Sequence, residues 1–321
     1  MIDLSSLKNV LLTDPIAPQG EQALERAGVE VVRAPDSGFA TLRRLAADAD
    51  GIIIRSKLPD DIFDAARRVS AVVVHGTGTD LVPLAAAAAR GVSVANLPGS
   101  NAPSVAEYCV MAMLMLSRNI VSVVESLRAG TWDAARALGA TNHEIAALTL
   151  GIVGVGEIGK RVAAICSRGL GMRVLGNQRR LDRLPADTGP RDLPSLLRES
   201  DFVVVTCPLT PQTRHLLDRR MLGLMRRTAW LINVGRGAVV EEEALIEALR
   251  ENRIAGAMLD VYEHYRLEPG HPLLSLRNAI LTPHFAGMTV ESRARMGVAA
   301  AEEMLRMLAG EPARNPVHAH R

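Results

Sequence analysis

Aromatic residues are scarce in this chain: four Phe, three Tyr and two Trp make up 3% of 321 residues. So few rings leave little stacking surface of the kind that grips single-stranded nucleic acid. Net charge is nearly absent too, since 37 basic against 35 acidic side chains leave +2. Such a field is too weak to make nucleic acid or a membrane surface the main partner. Cysteine is limited to Cys109, Cys166 and Cys207, odd in number, far apart and each within an apolar run. That pattern suggests neither a disulfide framework nor a metal site and reads as core thiols in a reducing compartment. Long apolar runs are missing as well: none reaches about 18 residues without a charge or a turn residue. The start, MIDLSSLKNV, lacks the basic-then-apolar order of a secretory leader. The expectation is a cytoplasmic protein whose ligand is small and neutral or anionic.

Aliphatic residues and 26 glycines are what the chain has in quantity, the composition of parallel sheets covered by Ala/Leu helices. At 321 residues it exceeds the size at which a single core stops growing, so two domains are expected. The first half alternates KNVLLTD, VEVVRA, GIIIRS, AVVVHGTG and VSVANL with four helical patterns. These strand runs are apolar throughout, which predicts a parallel sheet buried on both faces. PGSNAP interrupts the pattern after Leu97. A helix is predicted over 102–118, with Ser104 as N-cap and Glu107 at capping-box spacing. A polar stretch from Trp132 to Asn142 follows, and then six more strand runs: LTLGIVGVG, MRVLGN, FVVVTCP, AWLINVG, AGAMLDV and AILTPH. The last helix, about Thr289 to Ala309, is positioned to return to the first unit, and RNPVHAHR reads as a loosely held end. The reading is an α/β protein of two doubly wound parallel-sheet domains. The first takes 1–98, completed by 288–321, and the second, with a sheet of the kind that binds dinucleotides, takes 99–287.

Gly154, Gly156 and Gly159 form GxGxxG directly after an apolar strand and at the opening of a helix. The first glycine allows the tight turn, the second lets a pyrophosphate reach the backbone, and the third lets helix and strand approach. About 20 residues on, an NAD site carries an acid for the ribose hydroxyls. Here the second strand ends Asn177-Gln178-Arg179-Arg180 instead. Without a carboxylate to repel a 2′-phosphate, and with guanidinium forks to bind one, NADP(H) is favoured over NAD(H).

Three strand ends in the second half carry polar groups: Arg236 in NVGRG, Asp260 in LDV and His284 in LTPHFAG. An arginine there suits a carboxylate and an adjacent keto oxygen, and a histidine after Pro283 suits proton transfer. Together with HGTGTD at 75–80, NAPSVAEY at 101–108, LGIVGVGEIG at 150–159 and CPLTPQTRHLL at 207–217, these segments resemble the D-isomer-specific 2-hydroxyacid dehydrogenase family. The resemblance covers nearly the whole chain.

That resemblance implies hydride transfer between a nicotinamide cofactor and a small D-2-hydroxy or 2-keto acid. It implies that Arg236 binds the acid and His284 exchanges the proton, with the acid lying in the cleft between domains. Backbone amides near Thr77 and Gly78 would receive the carboxylate, beside Arg55 and Ser56. Cofactor contacts are implied at Gly154, Gly156, Glu157, Ile158, Gly159, Gln178, Arg179, Arg180, Cys207, Pro208, Thr213, Val234 and Asp260, the last holding the nicotinamide amide. No metal is expected, and similar proteins are homodimers through the long helix and the arm around Trp132.

One departure stands out. In the family a glutamate five residues after the LDV aspartate pairs with the histidine, and here that place is Tyr265. Glu268-Pro269 comes three residues later. Either a longer loop brings Glu268 to His284 as part of the catalytic set, or Tyr265 replaces the acid. A rival reading is an NAD(P)H-sensing corepressor or scaffold of the same fold. Such proteins usually carry long low-complexity tails, which this sequence does not show.

Overall fold

The computed structural model describes residues 8–318. The contacts fall into two compact units: the described residues up to Asn101 together with those from Met288 onward, and Ala102–Gly287.

In the first unit β1 (Lys8–Leu12), β2 (Val29–Arg33), β3 (Gly51–Ile54), β4 (Ala71–Val74) and β5 (Ser93–Ala95) alternate with α1 (Pro18–Arg26), α2 (Phe39–Ala46), α3 (Ile62–Ala65) and α4 (Leu84–Ala89). The strands pair in parallel in the order β2-β1-β3-β4-β5, the flavodoxin-like arrangement. Ile52, Ile54, Val72 and Val74 face one core layer, while Val10, Leu12, Ile53 and Val73 face another. That two-sided burial is why the strand runs show no polar alternation. The last helix, Val290–Leu308, packs Ala300, Ala301, Met304 and Met307 into the second layer. Thr289 caps it by accepting the Ser292 N–H at 3.1 Å. The terminal RNPVHAHR is not loose over its described part: Val317 N–H bonds Val94 O at 2.8 Å and Asn96 N–H bonds Asn315 O at 3.3 Å. Those bonds cover the open edge of β5. Its last three residues, and the first seven of MIDLSSLKNV, lie outside the described residues.

The second unit begins with α5 (Ala102–Ser117), α6 (Ile120–Arg128) and α7 (Trp132–Ala137). Ser104 lies inside α5 rather than capping it, because Pro103, lacking an N–H, is already suited to the first turn and the helix starts before it. The chain bends between α5 and α6 at Asn119, whose φ is +51°. The stretch expected to be merely polar from Trp132 to Asn142 is mostly helical. Strands β6 (Thr149–Val153), β7 (Arg173–Asn177), β8 (Gly189–Pro190), β9 (Phe202–Val205), β10 (Trp230–Asn233), β11 (Gly256–Leu259) and β12 (Ala279–Leu281) follow. Among them lie α8 (Glu157–Ala164), α9 (Leu193–Glu199), α10 (Arg219–Leu222) and α11 (Glu242–Arg250); the last helix of the chain is α12. The parallel order β12-β11-β10-β9-β6-β7-β8 is the Rossmann order extended by one strand. The sequence pattern predicts six of these strands; β8 escapes it, since two residues, one of them proline, carry no periodic signal.

Within the first unit one buried polar group stands apart. His75, just past β4, is 8% exposed and neither ring nitrogen has a partner among the described residues. Burial, aided by the positive charges of Arg55 and Arg293, pulls its pKa from 6.5 down to about 4. The folded state therefore holds the neutral ring. The stability this implies is complete above the ordinary value and disappears as the pH falls through the window from 6.5 to about 4. The expected loss across it is roughly 3 kcal/mol. His75→Phe should keep or raise stability at pH 7 and lose less of it at pH 4.5 than the wild type. Chemical denaturation at both values measures this, and equal losses in the two proteins would refute the assignment.

Candidate functional site

The turn after β6 sits where the strand order reverses, and its geometry accounts for each glycine. Gly154 has φ +94°, and a Cβ there would lie 2.6 Å from the Cys207 backbone. A Cβ on Gly159 would lie 2.7 Å from Gly154 O. Gly156, by contrast, has open space where its side chain would be. It is the N-cap of α8, and no side chain caps that helix. Free first-turn N–H groups beside an open backbone form an anion cradle, so the residues present fit a dinucleotide pyrophosphate. Glu157 turns its carboxylate to Lys160 at 3.1 Å, away from the turn, and Ile158 is half-buried in the adjoining core.

Cys207 closes the other side of the crossover. It is buried, with its thiol pushed up to about 11 by desolvation, so it lines the turn as a protonated apolar group. Thr213 Oγ1 donates to Pro208 O at 2.7 Å and accepts the Thr210 N–H at 2.7 Å, which shapes the segment after Cys207. Val234 is buried and bonds Val205 O through its N–H at 3.2 Å.

At the end of β7, Gln178 Nε2 donates to Arg180 O at 2.7 Å. The two arginines, read together from the sequence, separate here. Arg180 is paired in a two-pronged contact with Asp182, at 3.0 and 2.8 Å, because the carboxylate two residues on matches its fork. Arg179 is exposed and has no side-chain partner among the described residues.

Arg236, Asp260 and His284 follow the adjacent strands β10, β11 and β12. Asn233 ends β10 and braces the arginine turn: its Oδ1 accepts Gly235 N–H at 3.1 Å and its Nδ2 donates to Arg236 O at 3.1 Å. Arg236 is partly exposed and donates from Nη1 to Gly235 O at 2.8 Å, which fixes its fork. The next residue must be glycine, because a Cβ on Gly237 would lie 1.8 Å from the carbonyl carbon of Tyr262.

Asp260 is 1% exposed. Its Oδ1 accepts Thr282 Oγ1–H at 2.7 Å and Phe285 N–H at 2.8 Å, and its Oδ2 accepts Ala286 N–H at 2.9 Å. His284 is thus held from both sides, with φ +54° and an exposed side chain. Thr282 is tied further to Tyr108 Oη at 2.6 Å, and Tyr262 Oη donates to Thr282 O at 2.8 Å. Burial raises the pKa of both tyrosines, that of Tyr262 to about 12. Both therefore serve as neutral hydroxyls.

Beside His284 stands Tyr265, with ring centroids 5.9 Å apart and the planes at 69°. Glu268 shows no such contact among the described residues. It is exposed and makes no side-chain hydrogen bond or ion pair among the described residues. Glu268 precedes the turn at Gly270, whose φ is +86°; of the two positions offered for the histidine's partner, Tyr265 is the one with a described contact to it.

In the first unit Thr13 Oγ1 accepts the N–H groups of Arg55 and Ser56 at 2.9 and 3.3 Å. Ser56 Oγ donates to Asp14 at 3.0 Å, and Arg55 Nη1 donates to Pro15 O at 2.8 Å. Thr77 and Gly78 lie in the loop after His75, where Asn96 Nδ2 donates to Thr77 O at 2.7 Å. Sequence reading passed over Thr13, Asn233 and Thr282. The signal available was a polar residue closing an apolar strand run.

An uncapped glycine turn at a Rossmann crossover, with guanidinium and imidazole groups on the neighbouring strand ends, defines a dinucleotide-binding α/β protein. Residues 110–286 match the D-isomer specific 2-hydroxyacid dehydrogenase, NAD binding domain. The chain belongs to this family of NAD(P)-dependent oxidoreductases. It is 35% identical over 317 residues, 96% of its own length, to D-3-phosphoglycerate dehydrogenase of Methanocaldococcus jannaschii, of which it spans 59%. It is 37% identical over 289 residues to glyoxylate reductase of Aeropyrum pernix, covering 87% of this chain and 86% of that one. The structure of NADPH-dependent glyoxylate/hydroxypyruvate reductase from Sinorhizobium meliloti, in complex with NADP and malonate, superposes with a TM-score of 0.85 at 28% identity. It covers 98% of this chain and 99% of its own.

Proposed function

We propose that this protein is an NAD(P)-dependent D-2-hydroxyacid dehydrogenase acting on a small 2-keto or 2-hydroxy acid. The observation that carries the reading is the pair of braced turns on adjacent strand ends, Asn233 under Arg236 and Asp260 under His284. The bound nicotinamide supplies or accepts the hydride at C2 of the acid. Arg236 orients the carboxylate and polarises the keto oxygen through its fork. His284 gives a proton to that oxygen in reduction and takes it back in oxidation. Backbone amides of Thr77 and Gly78, with Arg55 and Ser56, are assigned to the acid's carboxylate. The acid-binding role goes to 1–98 with 288–321, and the dinucleotide role to 99–287.

The glycine turn, Glu157 and Ile158 through their backbone, Cys207, Pro208, Thr213 and Val234 are assigned to the dinucleotide. Asp260 has three of its roughly four acceptor sites occupied, and the fourth, on Oδ2, is assigned to the nicotinamide amide. NADP(H) is the favoured cofactor, on two grounds: an amide stands at Gln178 in place of an acid, and Arg179 is an uncommitted cation beside it. Arg180 is the lesser contributor because Asp182 occupies its fork.

Among the described residues no single helix is long and apolar enough to cross a membrane. We place the protein in the cytoplasm, consistent with its three unpaired, buried thiols. Met111, Leu114, Ile120, Val121, Val124, Leu127 and Trp132 are exposed along α5 to α7. An apolar row of that kind is assigned to a homodimer contact.

Arg236→Ala and His284→Ala should each abolish most turnover across a panel of 2-keto acids while dinucleotide binding survives. Near-normal turnover in either variant removes the role given to that residue, and a wild type inactive on the whole panel favours the sensor reading. Arg179→Ala should weaken NADPH binding about tenfold and leave NADH nearly unchanged, and parallel titrations decide it. Leu127→Asp should convert a dimer to a monomer in sedimentation equilibrium; a wild type that sediments as a monomer would overturn the contact.

A further inference from the structure

Between β11 and β12 the chain runs through Tyr262, Glu263, Tyr265 and His271, and one acidic side chain on another element holds both ends of this loop. Glu242, the first residue of α11, is 12% exposed. Its Oε2 accepts the Glu263 N–H at 3.1 Å. Its Oε1 lies 3.2 Å from His271 Nε2. The tautomer of His271 follows from its other nitrogen: Nδ1 accepts the Leu273 N–H at 3.3 Å. Nε2 therefore carries the hydrogen and faces the Glu242 carboxylate.

Tyr265 lies between those two anchors and meets His284 edge to face at 5.9 Å. Further ties act on the first anchor alone. Glu263 Oε1 bonds His215 Nε2 at 2.8 Å with Arg214 4.0 Å away, and the Tyr262 backbone lies against Gly237. The second anchor, His271, is joined to the rest of the unit by its contact with Glu242 and by the short turn Pro272–Ser275 that it caps, whose Leu273 is buried in the core. Without Glu242 the stretch from Tyr265 to His271, exposed at most of its positions, keeps the packing of Leu267 against the core and loses the carboxylate that holds its two ends to the start of α11.

We propose that Glu242 is a positioning residue for the reaction: by closing this loop it sets the Tyr265 ring against His284 and so fixes the imidazole for proton transfer. The inference rests on the dehydrogenase reading above. Geometry is what such a clamp supplies, since displacing a proton donor by about 1 Å can lower turnover by as much as about a hundredfold.

The test is a double-mutant cycle on Glu242→Ala and Tyr265→Ala, with kcat and KM measured for 2-keto acid reduction. Each single variant should lower kcat by about tenfold with KM changed by less than about threefold. The double variant should be no worse than the poorer single one, because Glu242 acts through Tyr265. Glu242→Gln, with one acceptor oxygen left, should fall between wild type and Glu242→Ala, and it carries the cycle if the alanine variant does not fold. A readout independent of turnover is the His284 ring resonance in a 13C-histidine spectrum, assigned with His284→Asn. Glu242→Ala and Tyr265→Ala should move it in the same direction. Multiplying losses in the double variant, or an unmoved resonance in Glu242→Ala, overturns the proposal. A wild type without turnover sinks the dehydrogenase reading instead, and the resonance arm still decides whether Glu242 governs the Tyr265 contact.

Discussion

A carboxylate sealed from water must find donors or destabilise the fold, and Asp260 meets that constraint in a way that organises the second unit's strand ends. It is 1% exposed and takes a hydroxyl from Thr282 and backbone N–H groups from Phe285 and Ala286. Charge-assisted bonds of this kind are stronger than neutral ones and tolerate little displacement. The turn between Thr282 and Phe285 therefore has one arrangement, and His284 is delivered at its tip in a left-handed conformation. Such a backbone state is uncommon for a side-chain-bearing residue and persists only where the surroundings over-determine it. Here the surroundings are Asp260 itself.

The same logic recurs on the adjacent strand. Asn233 is 1% exposed and uses its amide at both ends to fold the Val234–Arg236 turn. Gly237 then lets the Tyr262–Glu263 backbone pass at a distance no side chain permits. The guanidinium turn and the loop bearing Tyr265 are consequently packed against each other. Buried polar residues at strand ends act as the scaffold, and the exposed arginine and histidine are mounted on it.

Much of the architecture was legible because a parallel sheet covered on both faces leaves a distinctive trace. Runs such as GIII and AVVV are apolar without alternation, and glycines at 154, 156 and 159 fall where strand meets helix. The family resemblance then supplied roles for Arg236 and His284. What the linear pattern missed has a common cause. The two-residue strand Gly189–Pro190 is too short to have a period, and Ser104 satisfies the capping spacing yet lies inside α5 because Pro103 starts the helix sooner. Arg179 and Arg180 look equivalent in sequence, but Asp182 engages only one of them.

The loop after Asp260 shows the division most clearly. By itself the sequence determined that an acid is missing at Tyr265 and that Glu268 follows three residues later, and it left both alternatives open. Only the tertiary structure bears on the choice, since the question is one of distance across a turn and residue spacing carries no such measure. Glu268 is exposed with no side-chain contact among the described residues, and Glu242, contributed by a helix some twenty residues upstream, contacts both ends of the loop whose Tyr265 faces His284. Local composition sets which backbone shapes are cheap. Which side chains then meet depends on hydrogen bonds between segments remote in the chain, and those form only when the sheet has assembled.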